Sequence, residues 1–308
     1  METLRTPSPH DGLELATYVW EPTGSPKAVV QIAHGMAEHA KRYDRLAQAL
    51  NAAGYAVVAH DHRGHGESVA DPKDVGYLAD AAGWSGAIVD IRAVGEYARE
   101  RFPGVPLVLL GHSMGSFMSR ELVSRGSEGI DALVLSGTGG DQGLLGRVGA
   151  VVAALEGRLR GRRHPSNLMN TLTFGAFNKP FAPARTDFDW LSRDEAEVDR
   201  YIADPACGAV FTSGFYADML GGLNALAPDA NPAKIRKDLP VYLLAGSADP
   251  VGGEKGVTSV RDQLVKVGLT DVTMQLYPGG RHEMFNEINR DEVVADLVAW
   301  LDRVVAAG

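Results

Sequence analysis

Three residues far apart in this 308-residue chain have the types needed to turn a hydroxyl into a nucleophile: Ser113, Asp249 and His282. Ser113 stands in Gly111-His112-Ser113-Met114-Gly115, directly after the apolar run 105–110 and before a helical stretch at 116–123. A Gly-x-Ser-x-Gly segment between a strand and a helix holds its serine on a tight, strained turn. The flanking glycines keep side chains clear and the hydroxyl stands above the sheet. The same turn puts Ser113 at a helix N-terminus, where free N–H groups and the helix dipole favour developing negative charge. A serine hydroxyl reacts poorly until a neighbouring base takes its proton. Among nine histidines His282 is the candidate base, because Tyr277-Pro-Gly-Gly-Arg-His282 puts it on a loop after the last apolar run. Asp249, in Gly246-Ser-Ala-Asp249-Pro250 after the preceding run, is the candidate acid that sets the imidazole tautomer, with Glu254 as the alternative. The order Ser, Asp, His is the one that a strand–elbow–helix arrangement uses.

An attacked carbonyl needs two N–H donors for its developing oxyanion. Met114, the residue after the nucleophile, offers one. The segment His34-Gly35-Met36-Ala37-Glu38-His39 offers the other at Met36, and Gly35 lets the backbone approach a substrate closely. A third glycine-rich segment, Asp61-His-Arg-Gly64-His65-Gly66-Glu67-Ser68, matches no common zinc spacing and reads as a turn held by buried hydrogen bonds. Neither metal nor cofactor is needed for this chemistry.

Positioning these residues requires a sheet. Apolar runs at 28–33, 55–60, 105–110, 132–136, 241–245 and 272–277 read as strands buried on both faces, the mark of a parallel sheet. Amphipathic stretches at 43–53, 88–101, 257–267 and 293–305 read as the helices between them, giving an α/β architecture with right-handed crossovers. Residues 13–20 alternate more loosely and read as an antiparallel edge strand. From 139 to 237 no buried strand is evident. Helical patterns at 144–160 and 195–202 imply a helical insertion between a first core part, 1–138, and a last one, 238–308.

Composition bounds the rest. Hydrophobic residues make up 45% and charged residues 22%, the balance of an ordinary globular protein. The net charge of -9 gives no general attraction to nucleic acid or anionic membranes. The one cysteine, Cys207, excludes an intramolecular disulfide and reads as a small buried hydrophobe. No basic-then-apolar leader stands at residues 1–20 and no apolar run reaches the roughly 18 residues of a membrane span, so a cytoplasmic location is expected.

Taken together the motifs resemble one branch of the α/β-hydrolases, the monoacylglycerol lipase and bacterial lysophospholipase group. That group carries His-Gly-x-x-Glu-His, Asp-x-x-Gly-His-Gly-x-Ser and Gly-His-Ser-Met-Gly in this order, here at 34–39, 61–68 and 111–115. Segments 190–204 and 277–287 also look like bacterial members. The resemblance implies a central, mostly parallel sheet, a helical cap from about residue 139, the triad Ser113, Asp249 and His282, and Met36 with Met114 as the oxyanion hole. It implies ester hydrolysis of monoacylglycerols or other single-chain lipids. Lysophospholipids and short-chain, aryl or phthalate-type monoesters are the alternatives, and from another class a non-catalytic ligand-binding protein. In the insertion, Leu144, Val148, Val151 or Val152, Leu155 and Leu159 recur at helical spacing beside Arg147, Arg158, Arg160, Arg162 and Arg163. This stripe is expected to pack on the core, with the arginines at a solvated end and Leu144 and Val148 near an acyl tunnel. A transient rest on a membrane surface is its other use. Gly221 and Gly222 read as a hinge or a helix break.

Overall fold

The computed structural model describes residues 1–141, 143–226 and 234–306. The six apolar runs form adjacent strands of one eight-stranded sheet; the last, 272–277, is an edge strand and mostly half-buried, not buried on both faces as expected. β1 (Glu2–Pro7), β2 (Glu14–Trp20), β3 (Val29–Ala33), β4 (Ala56–His60), β5 (Leu107–His112), β6 (Ala132–Ser136), β7 (Val241–Gly246) and β8 (Val272–Tyr277) lie in the order β1-β2-β4-β3-β5-β6-β7-β8. From β4 to β8 every pairing is parallel, and every residue of β3 to β7 is buried. Continuous apolar sequence is what burial on both faces demands. Neighbouring residues feed opposite layers: Leu109 and Leu243 pack with α2 (Gly83–Arg101), α3 (Met114–Arg125) and α8 (Gly253–Lys266). Val108, Leu110 and Leu244 pack with α1 (Asp44–Ala52) and α9 (Arg290–Ala306).

Residues 13–20 belong to an antiparallel edge as expected, but as its second strand. β2 pairs antiparallel with β4 on one side and with β1 on the other, from Glu2 opposite Val19 to Pro7 opposite Glu14. β1 is polar and largely exposed, so it carries no apolar alternation to announce it. From β3 the chain steps to β4 on one side, and β5 later adds on the other. Such a reversal opens a crevice at the strands' carboxyl ends, where ligands bind in open α/β sheets.

The turn at 61–68 is built as read. Asp61 accepts hydrogen bonds from the N–H groups of Ala40 and Glu67, both at 2.8 Å, and from the Tyr18 hydroxyl at 3.0 Å.

Between β6 and β7 lie α4 (Gly143–Arg160), α5 (Asn167–Phe177), α6 (Glu195–Ala203) and α7 (Ser213–Ala225); residues 227–233 of this interval fall outside the described residues. Sequence pattern revealed α4 and α6 but not α5 and α7, although each missed helix carries its start signal. Ser166 accepts the Met169 N–H and Thr212 accepts the Phe215 N–H, both as N-caps. Except at Val152, which packs against the core, the α4 stripe faces the opposite way from the expectation. Leu144 (75% exposed), Val148, Val151, Leu155 and Leu159 (85%) point outward, while Gly149, Ala150, Ala153 and Gly157 turn inward toward α7. A Cβ on Gly149 would already touch Leu220 at 3.2 Å, so small residues set this close helix contact and the large ones are left outside. Three of the five arginines are paired rather than simply solvated: Arg160 with Glu156, Arg162 with Asp218, and Arg163 with Asp74 and Asp80. α7 runs unbroken through Gly221 and Gly222. Gly222 makes room for the Trp84 indole, which a Cβ would meet at 2.2 Å.

Candidate active site

At the end of β5 the chain turns into α3 through Ser113, held at φ 51°, ψ −118°. A non-glycine residue with positive φ is strained, and the neighbours leave no other path. A Cβ on Gly115 would lie 2.0 Å from Ala33 O, so β3 and α3 approach closely only because residue 115 has no side chain. Ser113 N–H donates to Ser136 O at 2.9 Å, which ties the elbow to β6.

His282 follows β8 and is 2% exposed. Its Nδ1 lies 2.9 Å from Asp249 Oδ1, and that oxygen also accepts the Val251 N–H at 2.9 Å. The alternative acid, Glu254, sits exposed on the first turn of α8. The His282 ring is walled by Trp190, with centroids 5.1 Å apart, and by His112 at 4.8 Å. Burial works against a charge on the ring, yet the Asp249 charge and hydrogen bond, with Glu283 and Glu38 behind them, hold its pKa above the usual 6.5. His112 goes the other way: burial first, then the proximity of His282, push it down to about 4.

Ser113, His282, Gly35, Met36 and Met114 all line one cleft of about 790 Å³, its open mouth included. Its other walls are mostly apolar: Phe117 from α3, Phe174 and Phe177 from α5, Met219, Leu220 and Leu223 from α7. Leu144 and Val148 are not among its lining, for the reason that turned their stripe outward.

Sequence reasoning missed a buried ion cluster beside this cleft. Arg42 donates to both oxygens of Glu283, at 2.7 and 2.8 Å, and to Glu38 Oε2 at 2.7 Å. Glu38 Oε1 accepts from Gly35 N–H at 2.6 Å and from the Tyr43 hydroxyl at 2.9 Å. Burial alone would raise the Glu283 carboxyl, but Arg42 brings it down to about 2. The cluster joins the loop after β3 to the loop of His282. Its signal was available: Glu38 and Arg42 lie four apart, and Glu283 follows the candidate base directly. Segment 189–193 is also knitted to the His282 loop, by Glu283 N–H to Leu191 O and by Arg193 to Glu287.

Among the described residues one group could hold a metal by distance: His39, Asp204 and Cys207 place ligand atoms within 4.8 Å of one another. His39 Nε2 is already 2.9 Å from Asp204, and Cys207 is half-buried with its thiol pushed up by burial. Among the described residues no helix is long and apolar enough to cross a membrane.

A mostly parallel sheet between helical layers, with a strained serine between strand and helix and an Asp–His pair after the last two strands, is the α/β-hydrolase fold. The chain belongs to the hydrolase family described as "Serine aminopeptidase, S33", whose model matches residues 24–289. Among its relatives, the monoglyceride lipase of Mus musculus is 31% identical, over 97% of this chain and 90% of its own. The monoacylglycerol lipase of Mycolicibacterium smegmatis is 32% identical, over 94% and 93%. Among solved structures, a thermostable carboxyl esterase from Bacillus coagulans in complex with glycerol superposes with a TM-score of 0.90 at 26% identity. That match covers 99% of this chain and 98% of the esterase.

Proposed function

We propose that this chain is a serine ester hydrolase that cleaves monoacylglycerols and related single-chain esters through an acyl-enzyme. The observation that carries the reading is the apolar cleft that Ser113 and His282 both line, with Asp249 hydrogen-bonded behind the base. Ser113 Oγ attacks the ester carbonyl as His282 Nε2 takes its proton, and the N–H groups of Met36 and Met114 hold the oxyanion. His282 then gives that proton to the departing alcohol. Water enters by the reverse route, giving its proton to His282 and its oxygen to the acyl carbon; the Ser113 Oγ–acyl bond then breaks and His282 returns the proton to Ser113 Oγ as the fatty acid leaves.

Charge supports a neutral head group. Among the described residues that line the cleft there is no lysine or arginine, while Glu38 and Glu283 both do. An anionic phosphate or phthalate carboxylate would meet two carboxylates sharing one guanidinium. An aminopeptidase would need a carboxylate free for the substrate's ammonium, and these two are spent on Arg42, Gly35 and Tyr43. The relatives named as monoglyceride lipases support the same choice. Fatty-acid release should be at least about tenfold faster from a monoacylglycerol than from an anionic lysophospholipid of the same chain, a gap of ~1.4 kcal/mol in the barrier. Cleavage of a short soluble ester with neither lipid touched would reject the substrate.

In this reading residues 139–237 form a cap whose α5 and α7 side chains make the acyl wall. Its outer face, the α4 stripe with Leu168 and Leu172 of α5, rests on the lipid surface that delivers substrate. Replacing Leu155 and Leu159 together by Asn should lower sedimentation with phosphatidylcholine vesicles and slow hydrolysis of dispersed substrate several-fold. Turnover of a soluble ester should stay at the wild-type rate; an equal loss there would mean damage to the site instead. The single free cysteine suits a reducing compartment, which supports a cytoplasmic location.

A further inference from the structure

The aim of the Met36 N–H depends on what holds the two peptide groups before it. The backbone N–H of His62 donates to His34 Nε2 at 2.9 Å. A backbone N–H only donates, so Nε2 is unprotonated and the neutral ring carries its proton on Nδ1. That Nδ1–H donates to Gly35 O at 2.7 Å. His62 Nε2 lies 3.1 Å from the His34 carbonyl, which only accepts, so this second ring carries its proton on Nε2. The Gly35 N–H is taken by Glu38.

Three of the four polar groups in the peptides joining residues 34, 35 and 36 are thus tied inward. Among the described residues the fourth, Met36 N–H, has no acceptor within the chain. Both peptides are trans, so C=O and N–H point in opposite directions. Anchoring Gly35 O on one side turns the Met36 N–H to the other, and Met36 lines the cleft with Ser113. The two imidazoles are fully buried, with centroids 4.2 Å apart. Burial comes first for both, reinforced for His34 by His62, His65 and His60 and for His62 by His60 and His65, and it holds both well below the usual histidine pKa. A proton on His34 Nε2 would face the His62 N–H, donor against donor.

We propose that His34 and His62 are a pair of neutral, tautomer-locked imidazoles that aim the Met36 N–H at the oxyanion. They are positioning residues for the hydrolytic step, and the inference rests on Met36 being an oxyanion donor. Because the oxyanion's charge develops only in the transition state, a misaimed donor lowers kcat and leaves KM nearly unchanged.

The variants are His34→Leu, which removes the donor, and His34→Asn, whose Nδ2 stands near the place of Nδ1 and restores it. His62→Leu and His62→Gln form the same pair one bond further out. For each, kcat and KM on a soluble ester, the inhibition constant of an alkyl boronic acid and the melting temperature are measured. His34→Leu should lower kcat by about 10²-fold and weaken the boronic acid in parallel, with KM within about twofold; His34→Asn should recover most of the loss. If His34→Leu does not fold, the His62 pair gives the same comparison with a smaller effect. Unchanged kcat, a kcat loss without loss of boronic-acid affinity, or folded Asn and Leu variants equally impaired would overturn the relay. Fluorophosphonate labelling separates the two failures. Variants labelled at Ser113 with wild-type kcat defeat the relay alone, whereas a wild type labelled elsewhere, or not at all, defeats the underlying reading.

Discussion

Ser113→Ala is expected to lower kcat by about 10⁶-fold, the scale of loss when a serine hydrolase loses its nucleophile. The fold should survive. The hydroxyl makes no contact on which the core depends, and Gly115 and the Ser113 N–H to Ser136 O bond keep the elbow as it is. Ser113→Gly sharpens the test, because φ 51° with ψ −118° costs a side-chain-bearing residue on the order of 1–3 kcal/mol. Glycine relieves that strain and gives back roughly 1 kcal/mol in unfolded-chain entropy. The inactive glycine variant should therefore melt at or a few degrees above the wild type, while alanine should not. Fatty-acid release and calorimetry on the same three proteins check both halves. Substantial turnover in either folded variant would remove Ser113 from the mechanism. A glycine variant that melts well below wild type would mean the elbow is not strained.

The second large effect is at Asp249. Asp249→Asn should lower kcat by about 10⁴-fold, the size found when the equivalent acid of a serine protease is replaced. The carboxylate accepts from His282 Nδ1 and so leaves Nε2 free to take the Ser113 proton; an amide facing Nδ1 can select the other tautomer. The pH profile gives an independent reading. The reactive form is neutral His282, and its pKa is raised, so wild-type kcat/KM should fall as pH drops through a value above 6.5. In Asp249→Asn the largest raising influence is gone while burial still opposes the charged ring, so the acid limb should move to lower pH. Near-normal kinetics with an unmoved limb would assign the acid elsewhere.

How much of this was legible depends on how locally each feature is encoded. The five inner strands could be read because burial on both faces demands unbroken apolar runs, a one-dimensional signal. β1 could not, since an exposed edge strand held by main-chain pairing asks little of its side chains. The α4 stripe misled for a related reason. Spacing shows that a helix has two faces, but only a partner decides which is inside, and here α7 comes so close that the glycine and alanine face was chosen. Trp190, Phe174 and Phe177 carry no chemical signature, so nothing in the sequence placed them in the cleft with His282.

The sequence by itself determined the chemistry on offer. It carried a serine between glycines at a strand–helix turn, an acid and a histidine after later strands in the order this fold uses, and a glycine loop with a free amide. These are local because a tight turn or a strand end needs particular residues within a few positions. Only the tertiary structure decided that Asp249 rather than Glu254 faces His282, that Arg42 binds Glu38 and Glu283 into one cluster, and that two buried histidines hydrogen-bond the backbone just before Met36. Apart from the Arg42–Glu38 pair, four positions apart, those relations join residues from 28 to 241 positions apart. Distance and proton direction between such groups arise only when the sheet has closed and water has been driven out around them.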